Sequence, residues 1–331
     1  MTSPKEDLRH HGDVDAAPGL ADFAVNVRVP RPPKWLRDRL KIALDDLGRY
    51  PARSADQAGR EEVARRHGRR PDEVLLLNGA AEGFALLPNL RPRRAVVVHP
   101  SFTEPEAALR DAGVPVERVL LEPPYTLGEI PEADLVVIGN PTNPTSVLHP
   151  REKLRQIKNL VVDEAFMDAV PGEPESLAGD ENVLVFRSLT KTWGLAGIRA
   201  GYALGDPDTL AKLAHNRPQW PVNSLALEAI KACCEERAVE ETERLAREAQ
   251  EHARHAAELL GDLVVVPPRA PFVLIKVPRG TREALRHKGI AARRCDTFPG
   301  LDDEHLRVAV RAPEEFAVFA DALRVVMEEL R

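Results

Sequence analysis

Cysteine is scarce in this chain, with only Cys233, Cys234 and Cys295 among 331 residues. An adjacent pair plus a distant third builds no disulfide framework and matches no metal-ligand spacing, so the three read as ordinary thiols of a cytoplasmic protein. Long apolar runs are missing too. None approaches the ~20 residues that span a bilayer, which argues against a membrane protein. The opening stretch MTSPKEDLRHHGD is charged and polar and predicts no secretory leader. A basic excess is also lacking: Lys+Arg number 46 against 52 Asp+Glu, for a net charge of −6. A general nucleic-acid binder needs the opposite balance to displace counterions. Internal repeats and low-complexity tracts are absent, and aromatics make up 5%. Arginine, by contrast, supplies 36 of the 46 basic residues, so most arginines are surface residues and one alone is weak evidence for a site. With 43% hydrophobic residues the chain can bury a substantial core, and its length predicts about two domains.

Short aliphatic runs recur from residue 74: VLLLN (74–78), AVVVH (95–99), LVVIGN (135–140), LVVDE (160–164), VLVFR (183–187) and IRAGYAL (198–204). Near-continuous apolar strands are what a sheet buried on both faces requires. Helix-like segments between them, such as 104–113, imply βαβ units with right-handed crossovers. The expected class is α/β, with a mostly parallel central sheet flanked by helices. Beyond residue 206 the pattern changes. One or two long helices over 224–260 lead to strands at 263–267 and 272–277, a helix near 281–288, a strand at 305–310 and a final amphipathic helix over 314–330. That tail predicts a smaller α+β domain. The expected division is an arm and helix over 1–47 that joins the small domain, a large domain over 48–222 and the small domain over 223–331.

Ligands of open α/β sheets bind beyond the carboxyl ends of the strands, so the residues after each predicted strand are the candidate site. After 74–78 come Gly79-Ala80-Ala81, whose backbone N–H groups open a helix toward an anion. Phe102 follows 95–99 at a loop tip. Asn143 follows 135–140 within Asn140-Pro-Thr-Asn-Pro144, where proline stiffens the turn. Asp163 ends its strand, and Ser188, Thr190, Lys191 and Arg199 follow the next. A lysine at a low-polarity mouth can lose its proton and attack a carbonyl. An aspartate can hold a ring nitrogen protonated, an asparagine can donate to a phenolate, and an aromatic can stack on the ring. The hydroxyls, the arginine and the helix start suit a phosphate. Together they describe a pocket for pyridoxal 5′-phosphate. No metal site is expected.

The segment SLTKTWGLAGIRAGY (188–202) resembles the Schiff-base motif of fold-type-I aminotransferases. With Asn140–Pro144 and Val162-Asp-Glu-Ala-Phe166, it is similar to the histidinol-phosphate aminotransferase branch, and more closely to the threonine-phosphate decarboxylases of cobalamin biosynthesis. The resemblance runs from about residue 9 to the C-terminus. It implies that Lys191 forms the Schiff base, Asp163 partners the pyridinium nitrogen, Asn143 donates to the phenolic oxygen and Phe102 stacks on the ring. It further implies a phosphate cup of Ala80, Ala81, Ser188, Thr190 and Arg199. Tyr50 would reach the cofactor phosphate of the other subunit, so the resemblance implies a homodimer with shared sites.

Three features lean toward decarboxylation. Arg9-His-His-Gly-Asp13 resembles an N-terminal arm that closes over the substrate phosphate, which implies a contact from His10, although His11 stands where the family has glycine. The segments 292–302 and 306–311 resemble the C-terminal pattern of the decarboxylases, which assigns Arg293 to the substrate phosphate and Arg311 to the carboxylate. Phe166 replaces the tyrosine of the aminotransferases. Asn26 is a further expected substrate contact, whereas Val27-Arg28-Val29-Pro30 departs from the family's second Asn-Pro. Arg28 and Arg307 stay open between an anion contact and the surface. The leading expectation is decarboxylation of L-threonine O-3-phosphate to (R)-1-amino-2-propanol phosphate; the alternative is an aminotransferase for histidinol phosphate or a related amino acid.

Overall fold

The structure, a computed structural model, describes residues 7–330. The first six residues of the expected arm, with half of the polar opening stretch, lie outside the described residues. The aliphatic runs form a seven-stranded sheet from β2 (Val74–Asn78), β3 (Ala95–His99), β4 (Val116–Leu120), β5 (Leu135–Gly139), β6 (Leu160–Asp163), β7 (Leu184–Ser188) and β8 (Ala200–Leu204), while β1 (Ala21–Phe23) belongs to a second sheet. The order is β2-β8-β7-β6-β5-β3-β4, and β8 alone runs against its neighbours. Strands β3, β5 and β6 are buried along their whole length, as helices on both faces require. The edge strand β4 carries Glu117 and Arg118 and is only partly buried, which blunts its open edge.

The second sheet combines β1 with β9 (Phe272–Lys276), β10 (Ile290–Arg294) and β11 (His305–Ala309) in the order β1-β10-β11-β9. Its core packs Phe23, Val273, Ile275, Leu306 and Val308 against Phe316 and Phe319 of the last helix, Pro313–Glu329.

Three expectations change here. A 3-10 turn over Gly261–Leu263 followed by one isolated bridge, Val264 to Ile275, takes the place of the strand expected at 263–267, because Pro267 and Pro268 cannot extend a ladder. The helix Lys34–Ala43 joins the core of the large sheet through Leu36, so only the segment before it, ending in β1, joins the small sheet. The helix Ser224–Cys234, set at the start of the expected small domain, also packs its Leu227, Ile230, Cys233 and Cys234 into the core of the large sheet. Among the described residues, no helix is long and apolar enough to cross a membrane.

Below the carboxyl ends of the strands lies a buried ion network. Arg187 of β7 donates to Glu164 (2.9 Å), Asp168 (2.6 Å) and Glu173 (2.7 Å). Arg66, from the helix Arg53–His67, donates to Asp168 (2.9 Å) and Glu173 (3.0 Å). Charges this deep persist only when paired, and these pairs tie the residue that follows β6 to the end of β7, next to Asp163 and Ser188.

Where β8 crosses β2 and β7, Gly201 admits the turn at Gly79. A Cβ at 201 would stand 2.7 Å from the Ala80 nitrogen and 2.8 Å from the Arg187 oxygen, both backbone atoms that cannot rotate away. Gly201→Ala is therefore expected to destabilise the protein by about 1–3 kcal/mol, read as a lower urea midpoint at unchanged slope; an unchanged midpoint would show that the turn yields freely.

Candidate active site

Five strands of the large sheet deliver their following residues to one cavity of about 590 Å³. Parallel β3, β5, β6 and β7 bring Phe102, Asn143, Asp163 and the Ser188–Lys191 turn to the same edge. β2 brings Ala80 and Ala81. Because β8 is antiparallel, the residue that precedes it, Arg199, reaches this edge as well, in register with Asn78 and Ser188 through Ala200 and Gly201. All nine of these expected cofactor contacts on the chain's own sheet therefore line one cavity.

The phosphate-cup residues sit tightly together. Gly79 has φ +77°, and a Cβ there would lie 2.8 Å from Arg199 Nη2, so the guanidinium crosses directly over the turn. Ala80 and Ala81 open the helix Ala80–Leu86, and their first-turn N–H groups have no acceptor within it. Ser188 and Thr190 are buried beside them.

Asp163 is buried and Lys191 half-buried at the wall of the cavity. Burial pushes the Asp163 carboxyl up to about 6, against the Ala165 N–H that it accepts at 3.0 Å and the nearby Lys191 ammonium. Burial also pushes Lys191 down to about 8, helped by repulsion from Arg307 and Arg199. Lys191 Nζ lies 5.7 Å from the centre of the Phe166 ring, which closes that wall without a polar group.

The small sheet supplies the opposite wall. Arg307 of β11 donates to Asn143 Oδ1 at 2.7 Å and to the Ala24 carbonyl. The Asn26 side-chain oxygen, turned toward it, accepts from Nε at 3.3 Å and from Nη1 at 3.2 Å. Every partner is neutral, and among the described residues no carboxylate pairs with this buried guanidinium. Arg293 of β10 is its cross-strand neighbour. Burial and Arg293 together push Arg307 down from the ordinary arginine range. Arg293 is better compensated: it donates to Thr297 Oγ1 (2.8 Å) and the His10 carbonyl (2.7 Å), and Asp15 lies 3.4 Å away.

Several expected contacts fall elsewhere. Arg311 does not line the cavity; its guanidinium donates to the carbonyls of Asp22 (2.8 Å), Val25 (2.9 Å) and Val27 (3.2 Å) and so fixes the loop that carries Asn26. The arginine of this strand that lines the cavity is Arg307, four residues earlier, because residues two apart along a strand share a face only until it ends at Ala309. Arg28 also turns away, donating to the Leu245 carbonyl and Glu248, each at 2.7 Å. His10 pairs with Asp15 at 3.2 Å outside the cavity, and His11 lines it instead, bonded to Glu104 Oε1 at 2.6 Å and set against Phe102. Tyr50 lies on the surface, 74% exposed and stacked on Trp220, away from its own chain's cavity. Sequence reasoning missed His11, Asp13, Glu104 and Phe298 as lining residues. The arm motif was the available signal for the first two, displaced by one position.

The donor set fits pyridoxal 5′-phosphate. Asp163 is a buried acid that accepts from the Ala165 N–H and has carboxylate oxygen to spare; the Asn143 oxygen is occupied by Arg307, which leaves its amide nitrogen to donate; and the cup of N–H groups, hydroxyls and Arg199 suits a dianion.

The family model for aminotransferase class I and II matches residues 23–323. A Mycobacterium tuberculosis protein named histidinol-phosphate aminotransferase is 54% identical over 326 residues, covering 94% of this chain and 89% of the relative. The threonine-phosphate decarboxylase of Salmonella typhimurium is 31% identical over 334 residues, covering 93% of this chain and 91% of the relative. Among solved structures, the histidinol-phosphate aminotransferase of Clostridium acetobutylicum superposes with a TM-score of 0.83 at 24% identity, over 93% of this chain and 99% of that one, and so shares the fold. Fold, cavity and relatives together place the chain in the class I and II aminotransferase family, fold-type-I enzymes whose cofactor is pyridoxal 5′-phosphate.

Proposed function

We propose that this chain is an aminotransferase for a phosphate-bearing amine of the histidinol phosphate type, with a 2-oxo acid as the amino acceptor. The observation that carries the reading is Arg307: a buried guanidinium whose protein partners are all neutral calls for an anion from the ligand. A phosphate or a carboxylate next to the reacting carbon satisfies it, so one cradle serves both amino donor and acceptor. The order of activities drawn from the sequence is reversed here, because the relative at 54% identity bears the aminotransferase name and the decarboxylase resemblance stands at 31%. Decarboxylation of L-threonine O-3-phosphate, a step of cobalamin biosynthesis, remains the second reading, favoured by Phe166 and by the arm over residues 9–13.

Pyridoxal 5′-phosphate, when bound, supplies an electron sink for the bond broken at the substrate's α-carbon. Asp163 would hold the ring nitrogen, Asn143 the phenolic oxygen, and the cup of Ala80, Ala81, Ser188, Thr190 and Arg199 the phosphate, with Phe102 against the ring. Lys191 Nζ is the group placed to take and return the α-proton, since its lowered basicity keeps part of the amine neutral near pH 8. Phe166, Phe84 and Phe298 give the cavity apolar surface on both sides.

A second copy of the chain belongs to this reading. Ile42 (73% exposed), Leu47 (54%), Tyr50 (74%) and Trp220 (51%) are large exposed apolar residues, and Tyr50 is the residue expected to enter the neighbouring site. Trp220→Glu is expected to convert a dimer to a monomer in sedimentation equilibrium; a wild-type monomer at micromolar concentration would remove this part of the reading. A cytoplasmic location fits the three free, buried thiols.

The amine of Lys191 predicts how the cofactor is captured. Only the neutral form attacks an aldehyde, so capture by the apoprotein should quicken as pH rises through about 8 and level off above it. Stopped-flow absorbance measures this, and an inflection near the ordinary lysine value would show that the pocket does not shift the amine. For the reaction itself, histidinol phosphate with 2-oxoglutarate should yield glutamate, and Arg307→Lys should lower kcat/KM about 10²-fold. Release of CO2 from threonine phosphate with no oxo acid present, and no glutamate from histidinol phosphate, would establish the second reading instead.

A further inference from the structure

An acid stands inside the turn that offers its N–H groups to a phosphate. Glu82 is the third residue of the helix Ala80–Leu86, and its side chain folds back to accept the Asn78 N–H at 2.7 Å. Asn78 and Ala80 are two residues apart along the chain, which keeps their nitrogens within about 7 Å of each other. That is inside the Debye length of about 10 Å at 0.1 M salt, so the charge of Glu82 reaches any dianion bound at the Ala80 and Ala81 N–H groups. A glutamate in the first turn is also the residue type that reaches back to the backbone N–H groups at the start of its own helix. Left unpaired, Glu82 would repel a phosphate and compete for its donors. Arg217 stands against both effects. It lies in the loop between the helices Pro207–Leu213 and Ser224–Cys234, and its Nε and Nη2 donate to the two Glu82 oxygens at 3.0 and 2.8 Å, a bidentate grip. Nη2 also donates to the Leu76 carbonyl at 3.0 Å, which fixes the guanidinium to β2, the edge strand from which the turn springs. The consequence is visible at the cavity, which Ala80 and Ala81 line and Glu82 does not.

We propose that Arg217 is a positioning residue for the cofactor phosphate: it cancels the charge of Glu82 and holds that carboxylate on Asn78, so that the N–H groups of Ala80 and Ala81 stay available to the dianion. Arg217 does not line the cavity and acts through Glu82 alone. Both side chains of the pair are largely shielded from solvent, at 8% and 19% exposure, so salt does little to replace one partner when the other is removed. The inference rests on the phosphate cup proposed above and is indifferent to which reaction follows.

The test compares two aldehydes binding to the apoprotein, pyridoxal 5′-phosphate and pyridoxal. They differ only in the phosphate, so the ratio of their Kd values, read from absorbance titrations, isolates what the phosphate contributes, and the pyridoxal value reports whether each variant is folded. Arg217→Gln should weaken pyridoxal 5′-phosphate about tenfold while leaving pyridoxal within about twofold of wild type. Arg217→Lys should keep most of the wild-type ratio. In the double variant Glu82→Gln with Arg217→Gln the opposing charge is gone and the amide oxygen can still accept from Asn78, so the ratio should return to the wild-type value. A wild-type ratio in Arg217→Gln would overturn the inference. So would a double variant that is not restored, or an equal loss of both aldehydes, which are the results a merely structural role produces. Arg199→Gln tests the cup itself and should also lower the preference for the phosphate. No change there would remove the cup reading and this inference with it, whereas a loss in Arg199→Gln with none in Arg217→Gln would remove this inference alone.

Discussion

Two arginines set opposite each other in the small sheet, Arg293 and Arg307, are the constraint around which this molecule is arranged. Like charges at directly paired strand positions repel, and burial makes the repulsion worse. The fold accommodates them by surrounding them with acceptors from far along the chain. Asn143 comes from the large sheet, Ala24 and Asn26 from the loop after β1, and the His10 carbonyl and Asp15 from the arm. The arm, the loop and the two sheets therefore meet at one point. Arg311 contributes indirectly, by fastening the same loop through three carbonyls.

The large sheet solves a different problem, which is to hold Asp163 and Lys191 in a fixed relation on one wall of the cavity. Its solution lies one layer down. The ion network of Arg66, Arg187, Glu164, Asp168 and Glu173 sits directly behind the loops, and the adjacent residues Glu164 and Arg187 carry it to Asp163 and Ser188. Removing one partner from such a network leaves an uncompensated buried charge, so its members constrain one another more rigidly than apolar packing would. The network thus fixes β6 against β7, and with it the spacing between the acid and the amine.

The large sheet was legible in the sequence because its strands are aliphatic runs with no alternative structure, and because ligand sites in this architecture follow the strand ends. That reasoning reaches Asp163, Asn143 and Lys191 from position alone. It fails where side-chain direction decides. Arg307 and Arg311 look equivalent in the string LRVAVR, but β11 ends at Ala309, so only Arg307 is held by the strand to face the cavity. The arm fails for a related reason. His10 and His11 are interchangeable in sequence, and the choice between them comes from Gly12 packing against Ala24, a contact across tertiary structure. The ion network left no trace, since each of its members reads as one more charged residue in a chain rich in them. The misplaced helices, Lys34–Ala43 and Ser224–Cys234, pack on a core that a linear division assigns to a different unit.

The charges that recognise a ligand and the charge that performs chemistry are coupled. Lys191 is held at about 8 by burial and, after that, by Arg307 and Arg199. In the function proposed above each of those arginines would receive an anion: the cofactor phosphate at Arg199, the substrate's acidic group at Arg307. An anion bound at either arginine offsets its repulsion of the amine, and the basicity of Lys191 rises. A free amine is thus least basic when the site is empty, which favours the neutral nucleophile needed to capture an aldehyde. It becomes more basic once the anionic groups are in place, which suits the later task of accepting a proton. The two roles call for opposite settings of one side chain, and Arg307 and Arg199, one from each sheet, supply the means of moving between them.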